Sequence, residues 1–219
     1  MTKLMTIFAH QDDETFSAGG VLARYADIGE SCAVTVTSDE LRRQEFSKAC
    51  EVLGCRSIIL ENRQITASNE EEIKRELITV LRDFKPDIVV THIDFDYHHE
   101  HRRVRKLVEE AVEWVSHTTS NESAHQITSL WAAETTVMIP VPQIFIDITK
   151  YNEKRMRAIE VYESQSHKGG DGFYSTFHER RTQLRGIQAG TVHAEAFLRV
   201  PITETGSFKP IKSYTEFPN

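Results

Sequence analysis

Two short runs hold the residue types that bind a metal and move protons. The first is His10-Gln11-Asp12-Asp13-Glu14, directly after an apolar run; the second is Asp96-Tyr97-His98-His99-Glu100-His101. Hydrolytic zinc sites draw on such imidazoles and carboxylates, commonly three from the protein, with a fourth position kept for water. A neighbouring carboxylate is then placed to take a proton from that water. Singly, each run has a plainer reading. Asp12 or Asp13 suits the cap of a following helix, and residues 98–101 suit a polar helix start. Together they point to metal-assisted chemistry.

That chemistry requires the chain to bring residues some 90 positions apart into one place, and the hydrophobic pattern supplies a way. Residues 4–9, 33–37, 58–60 and 87–91 read as strands. Between them run helical stripes: Val21, Leu22, Tyr25 and Ile28 before Gly29; Phe46, Ala49, Cys50 and Leu53 before Gly54; Ile73, Leu77, Val80, Leu81 and Phe84 before Pro86. Val104, Leu107, Val108, Ala111 and Val115 continue the series. Strands alternating with helices predict an α/β, Rossmann-like layered fold with a mostly parallel central sheet covered on both sides. In the strand order 3-2-1-4-5-6, the first and fourth strands are neighbours, and their C-terminal ends flank the ligand crevice. The two runs follow these two strands.

The second half is less regular. Residues 116–129 read as a polar loop, 130–139 and 143–148 as further strands, and 196–200 as a short strand. Met156, Ile159 and residues 161–162 suggest a helix, and 169–172 a flexible turn. Nothing marks a second domain, so residues 1–219 are read as one.

With 33 acidic and 26 basic residues the net charge is −7, which argues against non-specific nucleic-acid binding. No stretch has the apolar length of a membrane span, and the N-terminal residues do not read as a signal peptide. Three cysteines, Cys32, Cys50 and Cys55, form no CxxC pair; they are expected to be buried free thiols of a cytoplasmic protein. Gly19-Gly20 lacks the GxGxxG pattern, and acidic side chains occupy the turn where a pyrophosphate needs bare N–H groups. The expected partner is a small molecule, and a homo-oligomer stays open.

The sequence resembles the PIG-L/LmbE-like zinc deacetylases. Ala9-His10-Gln11-Asp12-Asp13-Glu14 is similar to their AHPDDE signature, and Asp96-x-His98-x-Glu100-His101 to their DxHxDH motif. Arg42-x-x-Glu45, Asp147-Ile148-Thr149, Lys154, Ala158-Ile159, Tyr162-x-Ser164-Gln165 and Glu195-x-Phe197 resemble later family segments, so the likeness runs to about residue 200. Gln11 and His99 stand where Pro is usual, and Glu100 where Asp is usual.

The resemblance implies Zn2+, or another divalent metal, held by His10, Asp13 and His101. It implies Asp12 as general base and His98 as stabiliser of the oxyanion, charged through a carboxylate partner. Arg42 is the candidate substrate-binding fork, against a plain surface pair with Glu45 or an ordinary solvated charge. Asp96 and Glu100 are candidates to orient His98 or His101. The implied activity is removal of an N-acyl group, acetyl by family, from an amino-sugar-like molecule such as an N-acetylglucosamine derivative. The rival readings are an amidase acting on a sugar-thiol conjugate and a non-catalytic sugar- or nucleotide-binding module. Specificity is expected in the loops 62–70, 116–129 and 166–175.

Overall fold

The structure, a computed structural model, describes residues 1–62, 64–117, 123–166, 170 and 172–202. Parts of all three expected specificity loops, residues 63, 118–122, 167–169 and 171, lie outside the described residues, as does 203–219.

The first half alternates as its pattern predicts. Strand β1 (Lys3–Phe8) leads to helix α1 (Asp13–Ile28), then β2 (Glu30–Thr37), α2 (Glu40–Leu53), β3 (Arg56–Asn62), α3 (Glu70–Phe84), β4 (Ile88–His92) and α4 (His99–Val115). The second half holds β5 (Ser129–Ala133), β6 (Ile144–Asp147), α5 (Asn152–Glu160), α6 (Glu163–Ser166), α7 (Phe173–Ala189) and β7 (Ala194–Val200). Among the described residues the strands form one seven-stranded sheet in the order β3-β2-β1-β4-β5-β7-β6. The first five of that order are mutually parallel; β7 pairs antiparallel with both β5 and β6.

The period-two alternation of a strand divides the core between the two faces of the sheet. Met5, Ile7 and Val89 point into a cluster with Ile73, Leu77, Leu81, Val104 and Val108 of α3 and α4. Leu4, Phe8, Ile88 and Val90 point the other way, into a cluster with Val21, Leu22, Phe46, Leu53 and Ala158 of α1, α2 and α5. β1 and β4 run side by side, with Leu4 opposite Ile88 and Thr6 opposite Val90. Their C-terminal ends therefore open at the same edge. Gly54 closes α2 in the left-handed region, at φ 80°, where a side chain would be strained.

Three elements differ from the sequence reading. Helix α1 begins at Asp13, eight residues before its apolar stripe, because its first turns bury polar groups. Strand β5 stops at Ala133 rather than running to 139. Glu134 turns off the sheet, buried against Arg185, and accepts the Ile139 N–H at 2.7 Å to close the loop. Helix α7 carries no apolar stripe to announce it: its buried residues are His178, Arg181, Thr182, Arg185 and Gly186.

Candidate metal centre and active site

The chain leaves β1 at Phe8 and turns sharply through residues 9–12 into α1. Asp12 takes φ 122°, ψ −36°, a conformation that costs a non-glycine residue about 1–3 kcal/mol and persists only where the surroundings hold it. They do hold it. The Asp12 N–H donates to Glu14 Oε2 at 3.0 Å, and Glu14 Oε1 accepts from the Thr15 hydroxyl at 2.6 Å and the buried Tyr162 hydroxyl at 2.5 Å. Neither Asp12 nor His98 caps its helix with its side chain, so the plainer capping reading does not describe them.

The turn aims His10 and Asp13 at His101, one turn into α4. His10 Nδ1 lies 3.2 Å from His101 Nε2 and 3.3 Å from Asp13 Oδ2, and His101 Nε2 lies 3.4 Å from Asp13 Oδ2. Three ligand atoms around a tetrahedral zinc with bonds near 2.0–2.1 Å stand about 3.3–3.4 Å apart. The triangle thus has the dimensions such an ion asks for. The outer nitrogens have carboxylates behind them. His10 Nε2 is 2.8 Å from Glu100 Oε2, and His101 Nδ1 is 3.0 Å from Asp96 Oδ2, an ion-pair contact off-axis for a hydrogen bond. Carboxylates in these positions orient metal-binding imidazoles and raise their basicity. Glu100, one methylene longer than the usual Asp, reaches both His10 and the Ile65 N–H, the latter at 3.1 Å.

The carboxylates and imidazoles of the cluster pair electrostatically with one another. Burial acts to lower His10, but Asp13 and Glu100 overcome it and raise its pKa to about 10. Burial acts to raise Asp13, yet His101 and His10 hold it well below the usual carboxylate range. Asp12, buried, beside Asp13 and only partly relieved by Arg42, is pushed up to about 8.

His98 departs from expectation. Asp96 accepts its backbone N–H at 2.9 Å but pairs through its other oxygen with His101, and Glu100 is committed to His10. Burial and the neighbouring His101 and His10 lower the His98 pKa, so the ring is neutral rather than the imidazolium expected. It stays against the centre, its ring 4.6 Å from that of His101 and 4.9 Å from that of His10, with Nδ1 buried and unpartnered among the described residues. His98, His10 and His101 also offer ligand atoms within 4.8 Å of one another. His99 is exposed and belongs to no such grouping among the described residues.

Arg42 donates to Asp12 Oδ2 and the Gln11 carbonyl, each at 3.2 Å. The surface pair with Glu45 does not form; Glu45 instead accepts from the Ser164 N–H and hydroxyl at 2.9 and 2.6 Å. Arg43 turns outward to Glu61.

Three further groups have no role at the site in the sequence reading, where Tyr162 stands only within a family-like segment. His92, the last residue of β4, stacks flat on His101 at 3.9 Å and 8° and accepts the Ala9 N–H on Nε2 at 2.9 Å. That bond occupies the nitrogen nearest Asp13, so His92 braces the centre. Its place at the end of the strand beside β1 was the available signal. Tyr162 and His178 come from parts of the chain where no pattern tied them to the crevice. The crevice itself is a cavity of about 160 Å³, lined by the triangle, Asp12, Arg42 and His98 together with Phe16, Tyr97, Thr135, Tyr174 and His178. A larger cleft, about 280 Å³, lies by α4 and Ile202, away from this chemistry.

The family model PIG-L: GlcNAc-PI de-N-acetylase matches residues 5–112. The diacetylchitobiose deacetylase of Thermococcus kodakarensis is 24% identical over 226 residues, covering 91% of this chain and 83% of its own. The structure of the N,N'-diacetylchitobiose deacetylase of Pyrococcus horikoshii superposes with a TM-score of 0.78 at 24% identity, over 91% of this chain and 84% of that one. GalB, the 4-carboxy-2-hydroxymuconate hydratase of Pseudomonas putida KT2440, superposes with a TM-score of 0.79 at 21% identity, over 95% of this chain and 100% of that one.

Proposed function

We propose, from the match of residues 5–112 to the family model PIG-L: GlcNAc-PI de-N-acetylase, that the protein belongs to that family and is a divalent-metal hydrolase that removes an acetyl group from the nitrogen of a small amino-sugar derivative. The observation that carries this reading is the triangle of His10 Nδ1, Asp13 Oδ2 and His101 Nε2, with sides of 3.2–3.4 Å. The mixed nitrogen and oxygen donors suit zinc, and other divalent ions share that preference. When bound, the metal supplies Lewis acidity toward a water and the acyl carbonyl. The Thermococcus relative, a diacetylchitobiose deacetylase, supports an acetamido sugar as substrate.

The chain's own groups handle the protons. Asp12 accepts one from the attacking water as the oxygen adds to the acyl carbon. Burial raises Asp12 above an ordinary carboxylate, and in its ionised form such a group is a stronger base for that step. Arg42, bonded to Asp12 Oδ2, keeps the other oxygen free to face the water. His98 donates a hydrogen bond to the carbonyl oxygen as negative charge collects there, a role a neutral imidazole also fills. The C–N bond then breaks, and the proton held by Asp12 passes to the leaving nitrogen. The products are acetate and a free amine.

GalB, a hydratase on a similar fold, shows why the fold alone does not choose the reaction. The purified protein, loaded with zinc, should release acetate and amine in equal amounts from N-acetylglucosamine or diacetylchitobiose. Chelation should stop the release and zinc should restore it. A zinc-loaded preparation that frees no acetate from either sugar overturns the deacetylase reading, and full activity of a metal-free preparation overturns the metal.

A further inference from the structure

The cavity that holds the metal triangle has a second set of polar groups that the proposed chemistry does not use. Ser17 of α1, Gln165 of α6 and His178 of α7 all line it. They are 2%, 5% and 1% exposed. Among the described residues, Ser17 Oγ, Gln165 Oε1 and both ring nitrogens of His178 have no hydrogen-bond partner. Buried polar atoms are nearly always paired, because leaving one unpaired forfeits its hydration with nothing in return. Three such side chains in the wall of one cavity make a site built for a ligand's polar groups.

Their chemistry narrows the ligand. The Gln165 amide nitrogen is committed to Ser164 Oγ at 2.9 Å, which leaves the amide oxygen as an acceptor. Burial, reinforced by Arg181 and Arg155 nearby, holds His178 neutral, so its ring offers one donor and one acceptor. The Ser17 hydroxyl offers both. No charge is present in this set to match a phosphate or carboxylate, and acceptors outnumber what an anion tolerates. Groups that donate and accept at once, namely hydroxyls, fit it. Phe16, stacked on His178 at 4.5 Å and 22°, adds an aromatic surface beside them, with the Tyr174 ring 5.9 Å from that of Phe16.

We propose that Ser17, Gln165 and His178 form an uncharged subsite that reads the ring hydroxyls of the substrate. This rests on the amino-sugar reading above and assigns its specificity to residues apart from the metal chemistry. The test compares N-acetylglucosamine with N-cyclohexylacetamide, which carries the same acetamide on a six-membered ring without hydroxyls. In His178→Phe and Gln165→Met, the preference for the sugar, as the ratio of the two kcat/KM values, should fall at least tenfold, mainly through the sugar's KM. Ser17→Ala should follow in the same direction. A merely structural role lowers both substrates together and leaves the ratio unchanged, which overturns the proposal. Three variants keep the test alive should one fail to fold. Glucosamine binding, measured by calorimetry on the zinc-loaded protein, separates this inference from the deacetylase reading. If the protein frees no acetate but binds glucosamine, and His178→Phe weakens that binding tenfold, the subsite stands while the hydrolase falls. If acetate is released and neither the ratio nor glucosamine binding changes, the subsite falls alone.

Discussion

Asp12 serves two demands that oppose each other. In the proposed reaction its carboxylate faces the attacking water, and its backbone adopts φ 122° at the turn that places it. The strain is held by the hydrogen bond from its N–H to Glu14, itself fixed by Thr15 and Tyr162. Function and stability should therefore separate at this position. Asp12→Asn removes proton abstraction and leaves the triangle intact; kcat should fall on the order of 10²-fold or more with metal content unchanged. Loss of metal from that variant would exchange the roles of Asp12 and Asp13. Asp12→Gly relaxes the backbone and removes a buried carboxylate that burial disfavours in its charged form. It should be inactive yet melt at a higher temperature than the parent; a lower melting temperature would show that the Arg42 contact outweighs the strain.

At the scale of elements, the centre depends on a break in α1. Ala18 has φ −146°, ψ 21°, and the helix restarts beyond it. The groups set free there are matched from across the fold. Arg181 of α7 donates to the Phe16 carbonyl at 2.5 Å, and Glu195 of β7 accepts the Gly20 and Val21 N–H groups at 2.9 and 2.8 Å. A side chain at Gly20 would meet Ile148 at 2.6–2.8 Å along its whole branch. Gly20→Ala should cost about 1–3 kcal/mol as an overpacked contact, and Ile148→Ala in the same chain should recover part of it; thermal melts of the single and double variants check this. The Gly19-Gly20 pair thus serves packing, in keeping with its failure to form a dinucleotide motif. The same break explains which parts of the molecule were legible. β1 to β4 and their helices were readable because apolar side chains face the sheet at regular intervals. Helix α7 was not, because its inner face is His178, Arg181, Thr182 and Arg185, polar and charged groups, of which Arg181 and Arg185 satisfy the break and the loop after Glu134. The triangle and its carboxylates lay in two contiguous runs. His92, Tyr162, Gln165 and His178 are single residues whose roles appear only when β4, α5–α6 and α7 are brought to one crevice.

At the scale of the whole molecule, one sheet edge gathers carboxylates with their histidines: Asp12, Asp13, Asp96 and Glu100, all with restricted access to water. Elements from both halves of the chain converge there, since the turn after β1, α1 and α4 supply the candidate ligands while α6 and α7 line the cavity. A cation at the triangle would relieve repulsion between Asp12 and Asp13 and tie α1 to α4, so it should favour the folded state over the unfolded one. Binding confined to the folded state stabilises it by about 2.7 kcal/mol when free metal stands at 100 times its dissociation constant. For a chain of this size each kcal/mol moves the melting temperature by about 2–4 °C, so chelation should lower it by about 5–10 °C. The shift should grow with the logarithm of added zinc. His10→Ala removes a corner of the triangle and the partner of Glu100; its melting temperature should no longer respond to zinc or chelator, and its activity should be lost with its metal. A parent protein whose melting temperature ignores both zinc and chelator would mean that the triangle is an apo arrangement of ion pairs, with His10 held as an imidazolium between Asp13 and Glu100. In that case His10→Ala should destabilise the chain by itself, whatever metal is present. The two accounts therefore diverge on one pair of melts, with and without zinc, for the parent and His10→Ala.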